Sequence, residues 1–209
     1  MSTQSLARTA GALYLLNIVG GAFAIGVVPS VVGADVRAYE LLYRSAIAAH
    51  VLVTLTNVPL ALIFFELFKI VNRRVALLVV FFTLVATAIE CAAVSSQVVS
   101  LSSGGSGLEA AGDAGYLVSS IFFAAFDLAI AYLIVTSTFM PRWIGFLMAL
   151  AGASYMTYAF AALISPDFAV HLVPYLQLPS LLGEGSLCLW LLIAGVNVGR
   201  WNAMEAARA

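Results

Sequence analysis

Charge is scarce in this chain: charged residues make up 9% of 209, and lysine occurs once, at Lys69. Hydrophobic residues reach 63% and the mean hydropathy is +1.07, leaving too little polar surface to cover a soluble globule of this size. The formal net charge is -1 and no cluster of Lys and Arg exists to neutralise phosphates, so nucleic acid is excluded as an expected partner. Cysteine is limited to Cys91 and Cys188, each inside an apolar stretch. A secreted disulfide framework places its cysteines on loops, so both read as small buried hydrophobes. Nucleophile elbow, phosphate loop, haem-attachment motif and dinucleotide fingerprint are all missing, and Gly20-Gly21 and Gly104-Gly105 read as packing and loop glycines. No His pair stands at i, i+4, so neither a resident metal nor a cofactor is expected.

Long apolar runs are present, and a bilayer core needs about 20 predominantly apolar residues per helix. Six stretches meet that: Thr9–Val32, Ser45–Ile70, Val75–Leu101, Tyr116–Phe139, Trp143–Ile164 and Leu178–Val198. The fold class expected is all-α, a single six-helix transmembrane bundle occupying the whole chain, 1–209. Joints are marked by Gly33-Ala34-Asp35, Asn72-Arg73-Arg74, the Ser/Gly-rich stretch Ser102 to Gly115, Met140-Pro141-Arg142 and Ser165-Pro166-Asp167. Arg8 followed by an apolar run to Val32 exceeds a signal-peptide core, which predicts a retained signal-anchor helix. Seven basic residues fall on one side (Arg8, Lys69, Arg73, Arg74, Arg142, Arg200, Arg208) and two on the other (Arg37, Arg44), so both termini are expected in the cytoplasm. Glu90 and Glu184 are positional counterparts in the third and sixth spans, but their neighbours share little, and any three-plus-three repeat is weak.

Four carboxylates, Glu66, Glu90, Asp127 and Glu184, lie inside these runs. An acid at the bilayer centre costs about 2.5–3.5 kcal/mol on insertion scales, which makes it a candidate functional residue. Glu66 lies near the cytoplasmic end and can pair with Lys69 or Arg73. No Lys or Arg shares the depth of the other three. At least one or two of them are therefore expected to hold a proton near neutral pH.

Polar residues accompany these acids at helical spacing. Thr83, Thr87, Glu90 and Gln97 share a face of the third span, and Tyr116, Ser120 and Asp127 share one on the fourth. His50, Thr54 and Asn57 do so on the second, just before Pro59, and Tyr14, Asn17 and Gly21 on the first. The sixth carries Ser180, Glu184 and Cys188, with Pro174 and Pro179 placing the start of its regular helix near Leu178. A rise of about 1.5 Å per residue puts Glu90 and Asp127 near the midplane, Glu184 slightly outward and His50 in the outer third. The stripes then converge on an outward-opening cavity, with Gln97, Ser120 and His50 toward its mouth. Interhelical hydrogen bonding alone would also account for Asn17, Thr54, Asn57, Thr83 and Thr87, and His50 reads as a satisfied core histidine, as a partner for Glu184 or as a ligand.

Ala7-Arg8 with Gly11, Leu13 and Tyr14, then Arg44 and His50, and finally Leu178-Pro179, Gly183-Glu184, Leu189-Trp190-Leu191 and Gly195-Val196 form a pattern across the whole chain. It resembles the bacterial membrane proteins grouped as domain of unknown function 4386. The resemblance implies a six-helix protein of the bacterial inner membrane and places Glu184 at the family's acidic position. It brings no established activity and no catalytic residue.

Three functions compete on this reading. The first is a binding or transport protein for a small amphipathic or cationic molecule, with protonation of Glu184, Glu90 and Asp127 linked to binding. The second is an intramembrane enzyme that uses a protonated carboxylic acid on a lipid or isoprenoid. The third is a structural or accessory subunit. Partners are the lipid bilayer and a small amphipathic or lipid-like ligand, and a homodimer stays open.

Overall fold

The structure, a computed structural model, describes residues 2–32, 38–103 and 106–208. The expected turn at Gly33-Ala34-Asp35, Arg37, the Gly104-Gly105 pair and the side chains of Glu109 and Pro174 lie outside the described residues. All the regular structure among the described residues is helical. It comprises α1 (Thr3–Gly21), a π-helical stretch (Ala22–Val27), α2 (Val28–Val32), α3 (Glu40–Ser103), α4 (Ser106–Thr136), α5 (Arg142–Ile164), α6 (Pro166–Ile193) and α7 (Val198–Ala206).

Five of the described helices are long and apolar enough to cross a membrane: Thr3–Val32, Glu40–Val99, Gly112–Thr136, Arg142–Ile164 and Tyr175–Ile193. The second and third expected spans are thus joined within α3. At about 1.5 Å per residue a straight helix of that length would be roughly three bilayer cores long. It is not straight, because Asn72 leaves helical geometry with φ -156 and ψ 103. Its side chain then accepts hydrogen bonds from the backbone N–H groups of Arg74 (3.1 Å) and Val75 (3.3 Å), capping the helix that follows. The two arms, residues 40–71 and 73–103, fold back on each other. Asn57 and Thr87, which stand symmetrically about Asn72 at a separation of 30, are hydrogen-bonded.

Other boundaries differ from expectation for identifiable reasons. α4 is already helical at Ser106, inside the Ser/Gly-rich stretch expected as a joint. α6 starts at Pro166 rather than near Leu178, because a proline in the first turn needs no N–H donor there. Pro174 and Pro179 therefore fall within the helix. It ends at Ile193, short of the expected Val198, where Gly195 adopts φ +69. Gln4 holds this end: its Nε2 donates to Ala194 O (2.8 Å) and its Oε1 accepts from Val196 N (3.1 Å).

The helices pack in a closed circuit, α1 against α3 and α6, α4 against α3 and α5, and α5 against α6. Small residues allow close approach: a Cβ at Gly183 of α6 would meet Leu147 O of α5 at 2.6 Å. The largest apolar cluster gathers at the end that carries Asn72, around Phe64, Leu67, Phe68, Ile130, Ile134, Met148, Leu187 and Leu191. α7 closes the same end, with Trp201 Nε1 donating to Leu67 O (2.9 Å) and Arg200 to Thr138 O (3.2 Å). In the other direction, large apolar side chains such as Leu16, Val19, Leu62, Phe81 and Phe146 are exposed on the outer surface, as a lipid-facing wall requires. Cys188 is buried as expected, its thiol donating to Gly11 O at 3.5 Å, but Cys91 is exposed on that outer surface. Glu66 pairs with Lys69 near the Asn72 end.

Candidate functional site

Beyond the apolar cluster the circuit of helices opens into a cavity of about 370 Å³. Glu90, Asp127, Glu184, His50, Asn57, Ser120 and Asn17 all line it. Gln97 does not. It shares the helical face of Glu90 but lies two turns farther along, where its side chain packs instead beside Gly112 of α4.

Three polar layers succeed one another from the far end of the cavity toward Asn72. In the distal layer His50 Nε2 stands 3.0 Å from Glu90 Oε1, and its Nδ1 stands 3.2 Å from the Tyr116 hydroxyl. The two rings stack at 5.1 Å with an interplanar angle of 16°. A neutral imidazole satisfies both contacts, accepting from Tyr116 at Nδ1 and donating to Glu90 from Nε2. His50 therefore serves Glu90, not Glu184 as the sequence left open.

The middle layer is amide and hydroxyl. Asn17 Nδ2 donates to Asn57 Oδ1 (2.6 Å), Thr56 Oγ1 donates to Asn17 Oδ1 (2.5 Å), and Asn57 Nδ2 donates to Thr87 Oγ1 (3.3 Å). These bonds tie α1 to the first arm of α3 and that arm to the second, and they give the side-chain nitrogen and oxygen of Asn17 and of Asn57 a partner each.

The proximal layer brings Asp127 of α4, Glu184 of α6 and Tyr14 of α1 together with Tyr155 of α5. Tyr155 faces Glu184 and lies beside Ser180. Sequence reasoning passed over Tyr155 because α5 carries no acid. The available signal was the polar and small run Gly152, Ser154, Tyr155 in an otherwise apolar span. The floor is aromatic, with Phe64 against Tyr14 (6.1 Å) and Phe126 (5.9 Å).

Glu90 and Asp127 are only 7% and 1% exposed, yet Glu90 Oε2 and Asp127 Oδ2 have no hydrogen-bond partner among the described residues. Among the described residues no Lys or Arg lines the cavity to balance them. Tyr14, Tyr116, Phe123, Phe126 and Tyr155 supply aromatic faces around the acids. Among the described residues no three His, Cys, Asp or Glu side chains gather closely enough to hold a metal ion.

The first helix contributes a further irregularity at this wall. The π-helical stretch Ala22–Val27 begins beside Gly21, which lines the cavity together with Ile25. Single π turns inside helices recur at functional sites because they re-aim side chains without ending the helix. No curated protein and no solved structure matches the chain. The model of one protein family, described as domain of unknown function (DUF4386), matches residues 9–195, and the chain belongs to that family.

Proposed function

We propose that the chain is a multi-pass protein of the bacterial inner membrane that binds a small organic cation in this cavity, with protonation of the carboxylates linked to binding. The observation that carries the reading is the pair of buried, unpartnered carboxylate oxygens, Glu90 Oε2 and Asp127 Oδ2, facing one cavity that no Lys or Arg among the described residues lines. An unsatisfied buried acceptor costs about 1–3 kcal/mol, more when charged, and a ligand bringing N–H donors and positive charge relieves both. Aromatic faces add attraction for a cation. The volume falls in the range of about 300–1,000 Å³ usual for small-molecule sites. Loss of a proton from an acid and arrival of a cation are alternatives at the same oxygen, which couples the two events.

Six crossings follow on this reading, since each arm of α3 is long enough to span about 30 Å. The basic residues support cytoplasmic termini: Lys69, Arg73, Arg142 and Arg200 belong to the same end as the Asn72 turn and α7. The Glu90 layer is then toward the exterior and the aromatic floor toward the cytoplasm.

The test is titration of the detergent-purified protein with phenethylamine and with benzyltrimethylammonium, reading binding by calorimetry. Saturable binding that is lost on Asp127→Asn, with the melting temperature retained, is expected. Absence of binding, or binding indifferent to Asp127→Asn and Glu90→Gln together, would overturn the proposal.

A further inference from the structure

Two orphaned acceptors on one cavity do not have to serve one charge, and their separation decides the matter. In α4, Gly115 packs on Ala93 of α3, with an ideal Cβ only 2.9 Å from the Ala93 side chain, while Gly112 packs on Ala93 and Gln97. α4 and the second arm of α3 are therefore antiparallel. Asp127, twelve residues beyond Gly115, lies level with Thr83 or slightly past it, and Thr83 also lines the cavity. Glu90 stands seven residues up that arm. At about 1.5 Å of rise per residue the two Cα positions are about 10–13 Å apart along the helix axes, and the side chains, each tilted toward its own helix N-terminus, lean toward each other from there. A single ammonium group cannot reach both.

The wall between them suits a hydrocarbon chain. Phe123 and Ile18 line it, and the polar atoms of Asn17 and Asn57 at that level are already bonded to each other and to Thr56 and Thr87. At each end the demand is the same: one buried carboxylate oxygen without a donor, on a cavity that Tyr116 and Phe126 also line.

We infer that the ligand is a linear diamine, with one ammonium group on Glu90, the other on Asp127, and a methylene chain along the wall between them. The inference rests on the cation-binding reading and narrows it to a ligand class. Glu184 stands beside the Asp127 end and lines the same cavity.

The experiment uses the full chain in detergent, titrated with straight-chain diamines from diaminopropane to diaminodecane and with monoamines of equal carbon number. The monoamines correct for partition into the micelle. Affinity is expected to pass through a maximum at one intermediate diamine length, shorter than the spacing of the two carboxylates because each ammonium stands about 2.8 Å inside its own carboxylate. At that length the diamine should bind about ten- to a hundredfold tighter than its monoamine, the value of one charge-assisted hydrogen bond. Glu90→Gln and Asp127→Asn should each erase that advantage, while Glu66→Gln, which lies outside the cavity, keeps it. Monoamines binding as tightly as diamines, or affinity rising with length without a maximum, would sink the diamine assignment and leave cation binding standing. If no amine binds, both fail.

Discussion

His50 and Glu90 face each other across the α3 hairpin, Nε2 to Oε1 at 3.0 Å, although 40 positions separate them in the chain. The contact depends on the reversal at Asn72, so hairpin geometry and the polarity of the cavity are one structural fact. Both residues are buried, and among the described residues no Lys or Arg lines the cavity to replace either partner.

His50→Ala should therefore destabilise more than Glu90→Gln. The alanine strips Glu90 Oε1 of its donor, at about 1–3 kcal/mol, whereas the glutamine still offers an oxygen to Nε2. Melting of the detergent-solubilised variants checks the order. A His50→Ala protein as stable as the parent would mean that the pair contributes nothing net to the fold.

Close approach of α5 and α6 supplies a second prediction. A Cβ at Gly183 would sit 2.6 Å from Leu147 O and 2.7 Å from Ala151 Cβ, while one at Gly185, on the same helix, meets nothing within 4 Å. Gly183→Ala should cost about 1–3 kcal/mol through forced separation of the helices. Gly185→Ala should be neutral or slightly stabilising, since alanine is the better helix former. Equal melting temperatures for the two would contradict the packing described.

Gly21 separates cavity occupancy from stability. It lines the cavity, and a Cβ there meets nothing within 4 Å. Gly21→Leu should fill the space without strain, leaving the melting temperature unchanged or raised while amine binding is lost. Full retention of binding would place the ligand elsewhere.

Membrane sidedness is open to direct measurement. Reporter fusions after Arg74 and after Gly107 should report cytoplasm and exterior respectively, on the seven-to-two asymmetry of basic residues. The reverse pattern would invert the cavity and make the Glu90 layer its cytoplasmic end.

The family resemblance, α5 with its Met140-Pro141-Arg142 joint, and the hairpin turn at Asn72 were legible in the sequence because each rests on local signals. The faces carrying Glu90, Asp127 and His50 were also legible, since period alone fixes them. Gln97 shows the limit of that reasoning: its face was right, but depth along the axis decides whether a residue reaches the cavity, and depth depends on where neighbouring helices stop. Tyr155 shows another limit, because a lone tyrosine matters here only through Glu184 and Ser180 on a different helix. The start of α6 at Pro166 was hidden by two later prolines, each of which reads locally as a helix beginning. The π-helical stretch after Gly21 has no sequence signature at all.

Glu184 is the residue on which structural and functional roles separate most cleanly. It is half-buried, lines the cavity beside Asp127, and faces Tyr155, with open space at Gly185 next to it. Glutamine keeps its shape and its capacity to accept from Tyr155 while removing both the negative charge and the titratable proton. If Glu184 serves ligand binding, Glu184→Gln should melt with the parent and bind phenethylamine at least about tenfold more weakly, the loss of one charge-assisted contact. Glu184→Leu removes the acceptor as well, so it should lose binding and also leave Tyr155 with one partner fewer, lowering the melting temperature. A purely structural acid predicts the other pattern, in which Gln is silent in both measurements and only Leu destabilises. Parent-like affinity in the Gln variant would remove Glu184 from the site while leaving Glu90 and Asp127 untouched, because their unpartnered oxygens do not depend on it.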